Sequence, residues 1–354
     1  MASYRGHSEV VRLLLENGAD VNAQEEQVGA LQAVSYMGHS EVVRFLLENG
    51  ADVNAREGRN GIALAAAAAA ASTGHSAIVQ LLLESGTDVN ARRELGSALE
   101  AASYGGHETI VGLLLKNGAK VNNAQERQCD NVLQVASVKC HRGIVRLILE
   151  KGAYVDARAG DHWNALQAAG HGGHDAIIRL LLEKEADVNA QGGWYGSAQQ
   201  VASSKGYDAI VQSLLENSAD VNARGRKFVS ALFVASSEGH ARIVRVLLER
   251  GEDVNASGGR YGSALQVASY RHDAIVRLLL EKGANLNAKG EWHISALQAA
   301  QACKQGNFGR NQLTVRLLYC LKLTASRMPR SSTVRRRILG KGSLVLSLWI
   351  PLTK

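Results

Sequence analysis

The feature that most constrains the fold is a short string, Gly-Ala-Asp-Val-Asn-Ala, which returns intact or altered along most of the chain. The position of its valine, which is a leucine in the last copy, is occupied by Val21, Val53, Val89, Val121, Val155, Val188, Val221, Val254 and Leu286. Successive copies are 32 to 36 residues apart. Such a period indicates stacked supersecondary units, because each unit is too small to bury its own core and must pack against its neighbours.

Each unit has the pattern of two short antiparallel helices. In residues 30–55, apolar residues follow helical spacing in two segments separated by Gly38 and His39. A glycine follows the second helix in most units, where a positive φ ends the helix: Gly18, Gly50, Gly86, Gly118, Gly152, Gly251 and Gly283. Glu185 and Ser218 replace this glycine in two units, and we expect each to cost on the order of 1 kcal/mol in the left-handed region.

The start of the first helix carries a second motif, Ser-Ala-Leu followed by Gln or Glu, as at Ser97–Glu100, Ser263–Gln266 and Ser295–Gln298. With the Gly-His turn and the Gly-Ala-Asp-Val-Asn string, it resembles the ankyrin-repeat family over residues 1–323. The resemblance implies an all-α ankyrin-repeat solenoid of about nine helix-turn-helix units with short β-hairpin-like finger loops. The proline with which the family starts this helix is missing, so we expect Ser, Asn or Gly to cap it instead.

The variant Tyr-Gly-Ser-Ala-Leu-Gln is similar to the ankyrin arrays of filamentous-fungal proteins, which often follow a NACHT domain in NLR-like receptors. The 354 residues contain no such nucleotide-binding domain. We expect the array to occupy residues 1–323, with a half repeat at 1–23 and a degenerate last unit near 290–323. Residues 324–354 are expected to form a basic, disordered tail.

The formal net charge of +7 belongs to that tail. Residues 324–354 hold seven basic residues and no acidic one, so the remaining 33 basic residues balance the 33 acidic residues of the array. Association with nucleic acid or with the nucleus is therefore predicted only through the tail, at Arg335, Arg336 and Arg337.

No residue pattern indicates catalysis. The histidines recur once per unit, which is typical of a turn residue and not of a metal site. The candidate nucleophiles are serines that repeat at one helix-packing position, Ser35, Ser103, Ser203 and Ser236. We therefore expect no enzyme activity, no cofactor, no metal and no small-molecule substrate.

The sequence also bears on location. The longest apolar stretch, residues 62–71, is far shorter than the ~20 residues that cross a bilayer, so no membrane association is predicted. The four cysteines form no Cys-x-x-Cys pair and no framework of disulfides. An intracellular location follows, with the cytoplasm favoured and the nucleus as the alternative.

Exposed aromatic residues are the candidate binding residues, because Trp and Tyr are enriched as energetic anchors of interfaces. Six lie in the finger loops: Trp163, Trp194, Tyr195, Phe228, Tyr261 and Trp292. Tyr36 and Tyr104 share, with Tyr4 and Tyr270, a first-helix position that resembles the family's groove-facing site. The alternative for the finger aromatics is that each attaches its own finger to the next repeat.

These observations favour a non-enzymatic module that binds a protein partner through its finger loops and the concave face of its first helices. One alternative is the sensor part of a fungal NLR-like receptor. The other is nucleic-acid or nuclear association through the basic tail.

Overall fold

A computed structural model describes the chain at residues 3–25, 28–55, 62–69, 75–93, 96–122, 132–158, 164–193, 196–225, 229–258, 262–288 and 295–305. The chain divides into two compact units, Met1–Gly172 with Glu183–Ala186, and Gly173–Leu182 with Asp187–Lys354. Both consist of repeated helix pairs, which confirms the all-α repeat fold. Among the described residues, no helix is long and apolar enough to cross a membrane.

The first unit contains two rows of helices. The first helices of its repeats are α2 (Ala30–Met37), α4 (Ala63–Ala69), α6 (Ala98–Gly105), α8 (Val132–Val138) and α10 (Ala165–Gly172). The second helices are α1 (Ser8–Glu16), α3 (Ser40–Glu48), α5 (Ser76–Glu84), α7 (Glu108–Lys116) and α9 (Arg142–Glu150). Each helix packs against the corresponding helix of the next repeat. The core between the rows is aliphatic, as Leu64 and Val111 illustrate by complete burial.

The second unit has the same plan. Its first helices are α12 (Ala198–Lys205), α14 (Ala231–Glu238), α16 (Ala264–Ala268) and α18 (Ala296–Gln305). Its second helices are α11 (Asp175–Glu183), α13 (Asp208–Glu216), α15 (Ala241–Glu249) and α17 (Asp273–Glu281). The repeat serines predicted to serve packing, including Ser203 and Ser236, are fully buried between these helices.

The helix α1 shows what stacking contributes. Eight of its nine residues match α3, yet Val10 and Leu14 are 46% and 52% exposed, whereas the equivalent Val42 and Leu46 are 2% and 1% exposed. The difference arises because α1 packs against α3, and no described helix packs against the other side of α1. Burial of these apolar side chains therefore depends on a neighbouring repeat.

Short antiparallel hairpins form the described parts of the finger loops. Strand β1 (Gln24–Glu25) pairs with β2 (Val28–Gly29), with Gln24 opposite Gly29. Strand β3 (Arg92–Arg93) pairs with β4 (Gly96–Ser97), with Arg92 opposite Ser97. In the second unit, single bridges join Gly192 to Gly196 and Ser257 to Ser263. Each hairpin leads directly into a first helix.

Polar caps start the first helices without proline, as predicted. The Ser97 hydroxyl accepts the Glu100 backbone N–H at 3.2 Å, and the Glu100 carboxylate accepts the Ser97 N–H at 3.1 Å. Asn164 and Gln167 form the same reciprocal pair at 2.8 and 2.9 Å. The residue three positions after the cap has a further role, since the Gln200 amide also donates to the carbonyl of Ala223 at 3.0 Å, in the next loop.

Residues with left-handed backbone conformation follow the second helices at the positions predicted from the sequence. All seven glycines named above have positive φ, and the predicted exceptions Glu185 and Ser218 are confirmed with φ of 62° and 67°. The structure adds a third exception, because Cys140 has a φ of 68° at the position that Gly38 occupies between the helices of an earlier repeat.

An asparagine in most of the strings links consecutive loops; Asp156 takes its place in one of them. In the first unit, Asn90 Oδ1 accepts the Lys120 N–H at 2.8 Å, while its Nδ2 donates to the Gly118 carbonyl at 3.1 Å. The residues whose Oδ1 accepts from the next loop, which we call the asparagine ladder, are Asn22, Asn54, Asn90, Asn122, Asn189, Asn222 and Asn255. A side-chain amide suits this position because its oxygen can accept from one backbone group while its nitrogen donates to another.

A histidine at the start of the second helix links consecutive repeats from the other side. His240 Nε2 lies 3.1 Å from the carbonyl oxygen of Ser204 in the preceding repeat. A carbonyl can only accept, so Nε2 carries the proton. The same bond joins His75 to Tyr36, His141 to Tyr104 and His272 to Ser237. The histidine is therefore a contact between repeats and more than the turn residue predicted from the sequence.

The histidine ring packs against a glycine, and any side chain added at that glycine would displace the ring. A methyl group on Gly206, which has a φ of 82°, would lie 2.6 Å from Cε1 of His240. We expect Gly206→Ala to lower the free energy of unfolding by about 1 kcal/mol or more beyond the cost of its left-handed φ, because the hydrogen bond to Ser204 is lost. Denaturant titration measures the difference.

Gly251→Ala is the matched control, because Gly251 has a φ of 91° but no atom within 4 Å of the added methyl group. Equal losses of stability for Gly206→Ala and Gly251→Ala would contradict a role for the histidine contact.

A buried acidic residue distinguishes one repeat of the second unit. Glu252 stands where most repeats have alanine, and its side chain is buried. Its two carboxylate oxygens accept the backbone N–H of Leu232, near the start of α14, at 3.0 and 3.1 Å. Burial raises the pKa of Glu252 to about 7, and the charges of Asp253 and Asp220 add to that rise, while hydrogen bonds from Ser230 and Leu232 oppose it.

The raised pKa predicts a pH-dependent stability. The folded chain binds the proton of Glu252 more tightly than the unfolded chain, so its stability falls as the pH rises from about 4.5 to about 7. Glu252→Gln keeps an acceptor for Leu232 and removes the charge. At pH 8 we expect it to be more stable than the original chain, by about 3 kcal/mol, because each unit of the pKa rise is worth about 1.4 kcal/mol. At pH 4.5 the two chains should have similar free energies of unfolding. Denaturant titration at both pH values checks this, and a difference in stability that is the same at pH 4.5 and pH 8 would contradict the role of Glu252.

Candidate partner-binding surface

Exposed tyrosines lie where the first-helix segments end: Tyr36 and Tyr104 in the last turn of α2 and α6, Tyr270 just after α16, and Tyr4 in the turn before α1. Tyr4 and the two predicted residues Tyr36 and Tyr104 belong to the first unit, and Tyr270 belongs to the second. All four occupy the same position in their repeats. Tyr36 is 44% exposed and Tyr104 is 59% exposed, although both follow fully buried serines. We call Tyr4, Tyr36 and Tyr104 the tyrosine ridge.

The backbone of the ridge is held in place while its rings are exposed. The carbonyl of Tyr36 accepts from His75, and that of Tyr104 accepts from His141, each at 3.2 Å. The glycine two residues later, Gly38 or Gly106, takes a left-handed conformation and starts the turn. Because the backbone is fixed from the next repeat, the rings can be presented without further ordering of the main chain.

A cation adjoins one end of the ridge. The Nζ atom of Lys139 lies 4.1 Å from the centroid of the Tyr104 ring, which is within the range of a cation–π interaction. Sequence reasoning missed Lys139. Alignment of the repeats could have found it, because Lys139 occupies the position directly after the tyrosine position, where Met37 and Gly105 stand in other repeats.

The finger candidates lie outside the described residues. These are Trp163, Trp194, Tyr195, Phe228, Tyr261 and Trp292, and the tail residues Arg335, Arg336 and Arg337 lie outside them as well. Arg92, in the finger hairpin of the first unit, has an internal role: it forms an ion pair with the Glu100 carboxylate at 2.8 Å. That pair holds the hairpin of β3 and β4 against the start of α6.

The described residues contain no group of three or more His, Cys, Asp or Glu side chains that could hold a metal ion. The serines examined as nucleophiles, including Ser35 and Ser103, are fully buried and do not face a surface. The arrangement that the described residues do offer is a set of exposed aromatic rings on a fixed backbone.

Comparison with known proteins addresses the fold. The family model described as ankyrin repeats (3 copies) matches residues 1–57, 59–125, 99–192, 133–225 and 199–290. The crystal structure of the human ASB11 ankyrin repeat domain is similar with a TM-score of 0.56 and 23% identity, and the match covers 63% of this chain and 98% of that chain. A comparison with curated proteins gave no match. The family model covers well over half of the sequence, and the chain belongs to the ankyrin-repeat family.

Proposed function

We propose that this chain is a non-enzymatic interaction module that holds a protein partner at its tyrosine ridge and its finger loops. Ankyrin repeats are in general protein–protein interaction modules. The observation that supports this surface is the exposure of tyrosine rings at equivalent positions, on a backbone fixed by histidine contacts.

Tyrosine is suited to this role because its ring buries a large apolar area and its hydroxyl can still form a hydrogen bond. It also has few rotatable bonds, so little side-chain entropy is lost on binding. At Tyr36 and Tyr104 the backbone is already ordered, which removes a further cost of association. The ridge therefore combines exposed contact area with a low cost of ordering.

The finger aromatics belong to the same proposal. Trp163, Trp194 and Trp292 lie in equivalent loops of their repeats, and the energetic argument for tyrosine applies to tryptophan as well. The alternative, that each ring attaches its own finger to the next repeat, predicts a loss of stability and not of binding when the ring is removed.

We propose an intracellular location, in the cytoplasm. Among the described residues Cys140 forms no disulfide and is exposed, which supports a reducing compartment. The two other functions that the sequence suggests depend on parts beyond the described residues. A sensor role in a fungal NLR-like receptor needs a nucleotide-binding domain, and nucleic-acid association needs the basic tail.

The ridge is tested by quantitative affinity capture from the native cell extract, followed by calorimetry with the purified captured protein. We expect Tyr36→Ala/Tyr104→Ala to weaken binding by about tenfold or more, because buried aromatic anchors dominate interface energies. Trp163→Ala/Trp194→Ala/Trp292→Ala tests the fingers in the same way.

The control is Arg44→Ala/Glu48→Ala on the exposed side of α3, which should capture the same proteins as the original chain. Capture of the same proteins in the same amounts by all four chains would contradict the proposal.

A further inference from the structure

One loop of the first unit reverses the charges that the repeats otherwise share. Every second helix except α7 ends in glutamate, and α7 ends in Lys116. Four residues later, six repeats carry aspartate, whereas Lys120 takes that place after α7. The string Glu-Asn-Gly-Ala-Asp has thus become Lys-Asn-Gly-Ala-Lys at 116–120.

The next repeat adds a cation and an aromatic ring. Its loop carries Lys151, and Tyr154 takes the place of the aspartate. All three lysines are exposed, and Tyr154 is 70% exposed, the most exposed large hydrophobic side chain among the described residues. We call Lys116, Lys120, Lys151 and Tyr154 the basic loop patch.

The asparagine ladder fixes the two loops of this patch relative to each other. Asn122 Nδ2 donates to the Gly152 carbonyl at 2.8 Å, and its Oδ1 accepts the Tyr154 N–H at 2.9 Å. The lysines and the tyrosine therefore project from a backbone that is already ordered, on the loops that follow the second helices. The tyrosine ridge lies elsewhere, at the ends of the first-helix segments.

The fold gains little from these replacements. In other repeats the aspartate accepts the backbone N–H of the ladder asparagine, as Asp52 does from Asn54 at 2.9 Å. Lys120 and Tyr154 cannot make that bond. Lys116 has a local benefit, since a cation is favoured in the last turn of a helix. Among the described residues, none of the three lysines forms an ion pair.

We propose that the basic loop patch binds a short acidic segment of a protein, with carboxylates placed against the lysines and apolar atoms against the Tyr154 ring. The charges around the patch favour a short segment. Glu84 and Asp88 precede it in the neighbouring loop, and Glu150 lies within its own repeat. An extended phosphate backbone needs a longer track of cations and would meet these acids.

The test uses a fluorescein-labelled hexaglutamate peptide and fluorescence anisotropy with the full chain. Lys116→Glu/Lys120→Asp restores the string of the other repeats, so the fold tolerates it. We expect this variant to weaken peptide binding by about tenfold or more at low salt, and added salt to weaken binding by the original chain.

The control is Arg250→Glu/Lys282→Glu, which makes the same change in net charge at exposed cations that follow α15 and α17. It should bind the peptide as the original chain does. Three results would overturn the proposal: unchanged binding by Lys116→Glu/Lys120→Asp, an equal loss in the charge control, or tighter binding of a single-stranded oligonucleotide at the same lysines.

Discussion

In seven of the described repeats, the side-chain amide of an asparagine holds one loop in register with the next. Asn90 shows why the amide is needed, because it accepts a backbone N–H from the next loop and donates to the carbonyl of a left-handed residue there. Those backbone groups follow a helix end, where no helical partner is available. Helix packing alone would bring the repeats together, but the amide determines how each loop is placed against the next.

Much of the fold could be predicted from the sequence because the repeat displays it many times. Helix pairs, serine caps and the left-handed Glu185 and Ser218 all depend on local backbone rules. The contacts between repeats were harder to predict. A period of about 33 residues shows that a histidine recurs at the position of His240, but it does not show that this ring reaches the carbonyl of Ser204. Glu252 was also missed, since its burial and raised pKa depend on how α14 and α15 pack.

The candidate surfaces, too, were predictable from the sequence only in part. Tyr36 and Tyr104 were identifiable from their repeat position, but only the structure shows that their carbonyls are held by the next repeat while their rings are exposed. Lys116 and Lys120 become visible once each loop is compared with its neighbours. In both cases a backbone fixed by repeated contacts leaves certain side chains free to vary, and these are the positions at which binding specificity can arise.

Hydrogen exchange in the variant Asn90→Ala tests the role of the ladder most directly, with Asn90→Asp as a variant that keeps the acceptor and lacks the donor. We expect the Lys120 amide to lose protection in Asn90→Ala, while the Tyr154 amide, which Asn122 holds, keeps it. Asn90→Asp should preserve more of the Lys120 protection than Asn90→Ala does. Unchanged exchange at Lys120, or an equal loss of protection in every loop, would contradict a ladder that acts from one repeat to the next.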